Sequence, residues 1–167
     1  MEFLSKSIEE TAQIAKDFAS SLDGAHQGAL VVGLYGDLGS GKTTFMKYLA
    51  ESFGITEMIQ SPTFVIMKIY KTSPQPLPLP RGGATRSEGG EVFKHLIHID
   101  AYRIEKEEEM LNLGWQEIIS DPKNLICVEL PERIKGIMPP HIMLKFEHVE
   151  DTESTKGDGH SRKVSIA

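Results

Sequence analysis

The chain is poor in cysteine, in long apolar runs and in basic clusters, and each shortage excludes something. Its 167 residues include one cysteine, Cys127. A single thiol closes no internal disulfide, which points to a reducing compartment rather than a secreted, cross-linked scaffold. Cys127 sits in the run Leu-Ile-Cys-Val, where a small buried hydrophobe is expected rather than a reactive thiol. The longest apolar run, residues 29–32, is far too short to cross a bilayer. The first residues, MEFLSKSIEE, hold no apolar signal region and turn acidic at once. These features predict a cytoplasmic protein with no membrane segment. The formal net charge is −6 and no basic block interrupts it. A DNA or RNA binder acting alone usually carries a basic face. Any nucleic acid in the biology of this chain is expected to reach it through a partner.

What is present suits one domain over residues 1–167. Hydrophobic residues make up 40% and charged residues 25%, ordinary values that supply one core. Ser7-Ile8-Glu9-Glu10 has the form of a capping box. Behind it Ile8, Ala12, Ala15, Ala19 and Leu22 recur at helical spacing, predicting a helix over 8–22. Residues 29–35 read as a buried parallel strand, and a helix runs on to about Phe53 with Phe45, Leu49 and Phe53 on one face. Further strands are expected at 63–70, 95–100, 125–129, 141–149 and 163–166, and a short acidic helix at 105–113. Residues 71–91 are rich in Pro, Gly and Ser and read as a flexible insertion. Strands alternate with helices, and two nearly consecutive strands close the chain. The fold class expected is α/β, a three-layer sandwich of the P-loop NTPase kind with parallel central strands and antiparallel edge strands.

Between the 29–35 strand and the next helix stands Gly36-Asp37-Leu38-Gly39-Ser40-Gly41-Lys42-Thr43-Thr44. Gly36, Gly41, Lys42 and Thr43 complete the Walker A pattern. Phosphate oxygens must approach the backbone closely, so glycines stand where a side chain would block them. Successive N–H groups form an anion nest, and the helix adds its positive end. Lys42 reaches the β- and γ-phosphates, and the Thr43 hydroxyl suits Mg²⁺. Chance alone produces the pattern in a chain this long on the order of 1% of the time. ATP with Mg²⁺ is therefore the expected ligand.

P-loop ATPases also need an acidic residue at the end of an apolar strand beside the P-loop strand, where it serves the metal. Two residues qualify, Asp100 after Leu96-Ile97-His98-Ile99 and Glu129 after Leu125-Ile126-Cys127-Val128. His98 and Asp100 point to one side of their strand. His95 lies on the opposite face and no third ligand is suitably spaced, so a zinc site is not expected. Ser61-Pro62-Thr63 reads either as a plain turn before a strand or as a switch-like loop whose Thr63 senses the γ-phosphate or Mg²⁺. The run Glu105-Lys106-Glu107-Glu108-Glu109 reads as a solvated helix face.

Taken together, GDLGSGKTTF, SPTF, HIDAYR, LGWQE and the stretch from Val128 to Arg133 resemble the TsaE (YjeE) family, the small ATPase of bacterial tRNA threonylcarbamoyladenosine biosynthesis. The resemblance extends from Glu10-Thr11 to Arg162, nearly the whole chain. It implies a cytosolic ATPase that turns over slowly alone and works with a TsaD-like threonylcarbamoyl transferase and a TsaB-like companion. That assembly modifies the adenosine next to the anticodon, and the ATPase resets or drives it. Carried onto this chain, Lys42 and Thr43 serve phosphate and Mg²⁺, Asp100 and Glu129 lie by the metal and the attacking water, Thr63 belongs to the switch-like loop, and Thr11 lies close to the adenine. Two features depart from the family. Leu130 stands where Trp is usual, and the connection through residues 71–91 is much longer than usual.

Two other classes compete on sequence grounds. A P-loop small-molecule kinase needs an arginine-bearing lid, and the long loop carries Arg81 and Arg86. A non-hydrolytic scaffold gated by nucleotide needs no strand-end carboxylates, and this chain has two.

Overall fold

A computed structural model describes residues 1–22, 27–60, 62, 64–73, 93–149 and 161–167. In chain order the elements are β1 (Glu2–Ser5), α1 (Ile8–Ser21), β2 (Leu30–Tyr35), α2 (Lys42–Ser52), β3 (Met67–Lys71), β4 (His95–Asp100), α3 (Glu107–Asn112), α4 (Trp115–Ser120), β5 (Asn124–Glu129), β6 (Ile142–Val149) and β7 (Ser161–Ile166). Short 3₁₀ turns at Ala101–Arg103 and Pro131–Ile134 follow β4 and β5. The strands make one sheet in the order β1-β7-β6-β2-β5-β4-β3. The central pairs β6–β2, β2–β5 and β5–β4 are parallel. The outer pairs β4–β3, β6–β7 and β7–β1 are antiparallel. This is the expected P-loop NTPase-like arrangement, with a parallel centre and antiparallel edges.

Alternation along the central strands sorts side chains to two cores. Val32, Leu34, Leu96, Leu125 and Cys127 face α1 and α2, together with Phe18, Phe45, Met46, Leu49 and Phe53. Val31, Ile97, Ile99, Ile126 and Val128 face the other layer, against Met110 of α3 and Trp115 of α4. Every residue of β5 is buried, as a strand covered on both faces must be. Phe45 anchors the first core: its ring lies 5.8 Å from Phe18 and 5.4 Å from Phe146, the latter edge-on.

Ser7 caps α1 by accepting from the Glu10 N–H at 3.2 Å. Glu10 reaches back to the Lys6 N–H at 2.6 Å, one residue earlier than the standard box. The buried stripe of α1 differs from the expected one. Thr11, Ile14, Ala15, Phe18 and Ala19 face inward, while Ile8 is exposed. The larger side chains Ile14 and Phe18 set the helix rotation, and the alanines follow. Alanine bury too little area to decide it.

The strand expected at 63–70 is shorter and later. Pro62 O accepts from the N–H groups of Val65 (3.0 Å) and Ile66 (2.7 Å), making a turn, and Ile66 takes φ 65°. Pairing with β4 starts only at Met67. The sequence reading also missed β1 and α4. The insertion expected at 71–91 lies outside the described residues from position 74 onward. Among the described residues no helix is long and apolar enough to cross a membrane.

Candidate nucleotide-binding site

The phosphate loop joins the end of β2 to the start of α2, at the edge of the core shared by α1 and α2. All three of its glycines have positive φ, Gly39 at 81° in open space. Gly36 has φ 134°, and a Cβ on it would collide with the Phe146 carbonyl of β6. Gly41 has φ 100° and caps α2, and a Cβ there would stand 2.9 Å from Arg162 Cδ. Gly41 offers no side-chain cap, so the first N–H groups of α2 lack the usual capping acceptor, and such groups suit an anion.

Lys42 is only 6% exposed. Its ammonium donates to the carbonyls of Gly36 (2.7 Å) and Asp37 (2.8 Å) and lies 3.5 Å from Ser40 Oγ. The loop thus supplies its own acceptors for a buried charge, which would otherwise be costly. Ser40 is itself buried, and its N–H donates to Asp37 O at 3.1 Å. Leu38 at the loop tip is almost fully exposed. Thr43 and Thr44 in the first turn of α2 are half-buried.

Both strand-end carboxylates are buried on the α1–α2 side of the sheet, directly opposite each other in the β4–β5 register. They are not equivalent. Glu129 ends β5, which pairs with β2, and stands opposite Leu34. Asp100 ends β4, one strand farther from the phosphate loop. Asp100 Oδ1 accepts from the Tyr102 N–H at 2.9 Å and caps the 3₁₀ turn behind it. Glu129 Oε1 meets His98 Nε2 at 2.7 Å. Immediately after Glu129, Leu130 takes φ 56° and ψ 50°. That left-handed conformation costs a non-glycine residue roughly 1–2 kcal/mol, and it turns the chain sharply away from the strand end. Cys127, opposite His98, is fully buried. Burial pushes its thiol well above the ordinary range, and the charge of Glu129 pushes it further.

Thr11 lies at the junction of β1 and α1. Its hydroxyl is 2.7 Å from Ser5 Oγ and donates to Ser7 O at 3.1 Å. Ser5 pairs with Arg162 across β1–β7, and Arg162 borders Gly41. Thr11 is therefore brought to the phosphate-loop end of the molecule. Thr63 lies outside the described residues, as do Arg81 and Arg86. His95 Nδ1 lies 3.1 Å from Asn124 Oδ1.

Arg162 is the site residue that sequence reasoning missed. Its Nε is buried and finds no hydrogen-bond partner among the described residues, beside the glycine that opens α2. Arg103, in the HIDAYR stretch, stacks its guanidinium 4.8 Å over the exposed Phe64 ring. Arg133 is exposed on the 3₁₀ turn after Leu130.

Comparison with known proteins decides the family. The family model for the threonylcarbamoyl adenosine biosynthesis protein TsaE matches residues 5–157. The chain belongs to the TsaE family. The tRNA threonylcarbamoyladenosine biosynthesis protein TsaE of Rickettsia felis is 34% identical over 147 residues, 87% of this chain and 71% of the relative. TsaE of Bacillus subtilis is 42% identical over 108 residues, 63% of this chain and 52% of the relative. Among solved structures, Bacillus subtilis YdiB matches with a TM-score of 0.67 at 26% identity, covering 99% of this chain and 83% of that one.

Proposed function

We propose that this chain binds ATP with Mg²⁺ on the loop from Gly36 to Thr44 and hydrolyses it within the assembly that makes threonylcarbamoyladenosine in tRNA. The observation that carries the reading is the pairing of a glycine-cradled loop, with Lys42 folded into it, and a buried Glu129 on the strand next to the loop strand. The residues present fit a nucleoside triphosphate and its metal. Gly36 and Gly41 leave a cradle that a Cβ would fill, Thr43 offers a hydroxyl, and two carboxylates stand at neighbouring strand ends.

Lys42 exchanges its carbonyl partners for the β- and γ-phosphate oxygens. The main-chain N–H groups from Asp37 to Thr44 hold the remaining phosphate oxygens. Thr43, with Glu129 or Asp100, would hold Mg²⁺, and Glu129 orients the attacking water. When bound, Mg²⁺ neutralises charge between the β- and γ-phosphates. Arg162 brings a cation of the same chain to the rim of the loop, and Thr11 closes the adenine end. Thr63 is assigned to a switch-like loop. Such positioning and electrostatics supply most of the catalysis of phosphoryl transfer.

The printed names of the relatives support a role in tRNA modification. The net charge of −6 and the lack of a basic block favour tRNA contact through partners, a TsaD-like transferase and a TsaB-like companion in the cytoplasm. The transferase would carry out the chemistry on tRNA, and turnover of the isolated chain would be slow. The test is complementation. In bacteria depleted of their own TsaE, this chain should restore threonylcarbamoyladenosine, read by mass spectrometry of tRNA nucleosides. Lys42→Ala and Glu129→Gln should not. Restoration by both variants would replace the ATPase with a scaffold that needs no hydrolysis.

A further inference from the structure

His98 has no place in the phosphate loop or among the carboxylates that serve the metal, yet it is fully buried on β4, the strand between β5 and the edge strand β3. It lies two residues before Asp100 on β4, opposite Cys127 on β5. Its ring does not turn to Asp100. Nε2 crosses diagonally to Glu129 Oε1 at 2.7 Å, a contact closed to solvent. Nδ1 is also buried and has no hydrogen-bond partner among the described residues.

Together these observations assign the tautomer. An ionised carboxylate only accepts, so Nε2 must carry the hydrogen and donate it. Nδ1 is then a bare lone pair. The other tautomer would set a lone pair against a carboxylate and strand an N–H in the core, the rarer and costlier defect. A residue chosen only to fill this space would be apolar, because an unmet polar atom is expensive to bury. The histidine is accounted for by the one bond it makes.

We propose that His98 is a positioning residue for ATP hydrolysis. It donates from Nε2 to Oε1 of Glu129, fixes the rotation of that carboxylate, and leaves Oε2 as the oxygen that orients the attacking water. His98 touches neither nucleotide nor water and gives up no proton. The assignment rests on the reading of Glu129 as the water-orienting carboxylate.

The experiment compares His98→Gln, His98→Asn and His98→Leu in the full chain, with Glu129→Gln alongside. A glutamine amide can donate near the Nε2 position, and an asparagine amide falls short of it. His98→Asn and His98→Leu should lower kcat about tenfold, while His98→Gln stays within about threefold of the parent. KM and the affinity for a fluorescent ADP derivative should be unchanged in all three. Independently, two-bond ¹⁵N–¹H correlation spectra of the nucleotide-free protein should show His98 with hydrogen on Nε2, and that nitrogen should shift in Glu129→Gln. Thermal denaturation checks folding. If His98→Leu fails to fold, the contrast between the two amides decides. Hydrogen on Nδ1, an unchanged or raised kcat in His98→Asn, or equal losses in both amides would overturn the proposal. If Glu129→Gln keeps full kcat, the reading of Glu129 itself falls. If Glu129→Gln is inactive and the His98 variants are unaffected, only the role of His98 falls.

Discussion

Arg162 packs against Gly41 so closely that a Cβ at position 41 would stand 3.0 Å from its Nε. A strand near the end of the chain thus completes the wall of a loop near its beginning. Replacing Arg162 with Ala should weaken ATP and ADP binding about tenfold, the loss of one charge-assisted contact, with little change in melting temperature. Gly41→Ala should lose binding altogether, because it combines strain at φ 100° with a clash against that arginine. Isothermal titration with ADP, and with ATP on a Glu129→Gln background, measures both. Unaltered affinity in Arg162→Ala would assign the arginine to structure alone.

Lys42 donates from its ammonium to the Gly36 and Asp37 carbonyls. Lys42→Ala should lower ATP turnover by about 10²–10³, the usual cost of removing one group that stabilises transition-state charge. Steady-state phosphate release reads this. The variant should still fold, since the loop carbonyls it frees can turn to water.

Phe45 joins α2 to both α1 and β6 through Phe18 and Phe146. Phe45→Ala should cost about 3–5 kcal/mol of folding stability through lost burial and the cavity left behind. Urea unfolding with an unchanged slope would confirm that the loss is in the native core.

The buried thiol of Cys127 gives a pH effect of known sign. Burial, helped by the charge of Glu129, raises its pKa above the ordinary 9.0. Below pH 9.0 the thiol is neutral in both states, and its contribution to stability is complete. As pH rises past that value the unfolded chain loses the proton and the folded one keeps it. Stability therefore falls, by up to about 1.4 kcal/mol per pH unit from this group, until the folded thiol also ionises. Cys127→Val removes the group, so the difference in unfolding free energy between parent and variant should shrink steadily above pH 9.0. A constant difference across that range would contradict the assignment.

The loop between β2 and α2 was legible because its glycines are dictated by backbone geometry: Gly36 and Gly41 stand where the chain tolerates no Cβ. The central strands were legible because burial on both faces leaves continuous apolar runs, as in β5. Four-residue β1 and six-residue α4 were not, being too short to show a period. The late start of β3 depends on a turn held by Pro62 O, which alternation along the strand does not reveal. Within the site, sequence placed His98 and Asp100 on one face of β4. Which of them meets Glu129 depends on strand register and side-chain direction, and periodicity within one strand carries neither. Arg162 was hidden for a similar reason: it reaches Gly41 only through the pairing of distant strands.

The most direct test of the central claim is ATP hydrolysis by the purified chain, alone and mixed with the TsaD-like transferase and its TsaB-like companion, with Lys42→Ala as control. The account predicts slow turnover alone, a clear rise with the partners, and turnover lower by about 10²–10³ in the variant under both conditions. Turnover that the partners leave unchanged, despite intact ATP binding, would contradict it.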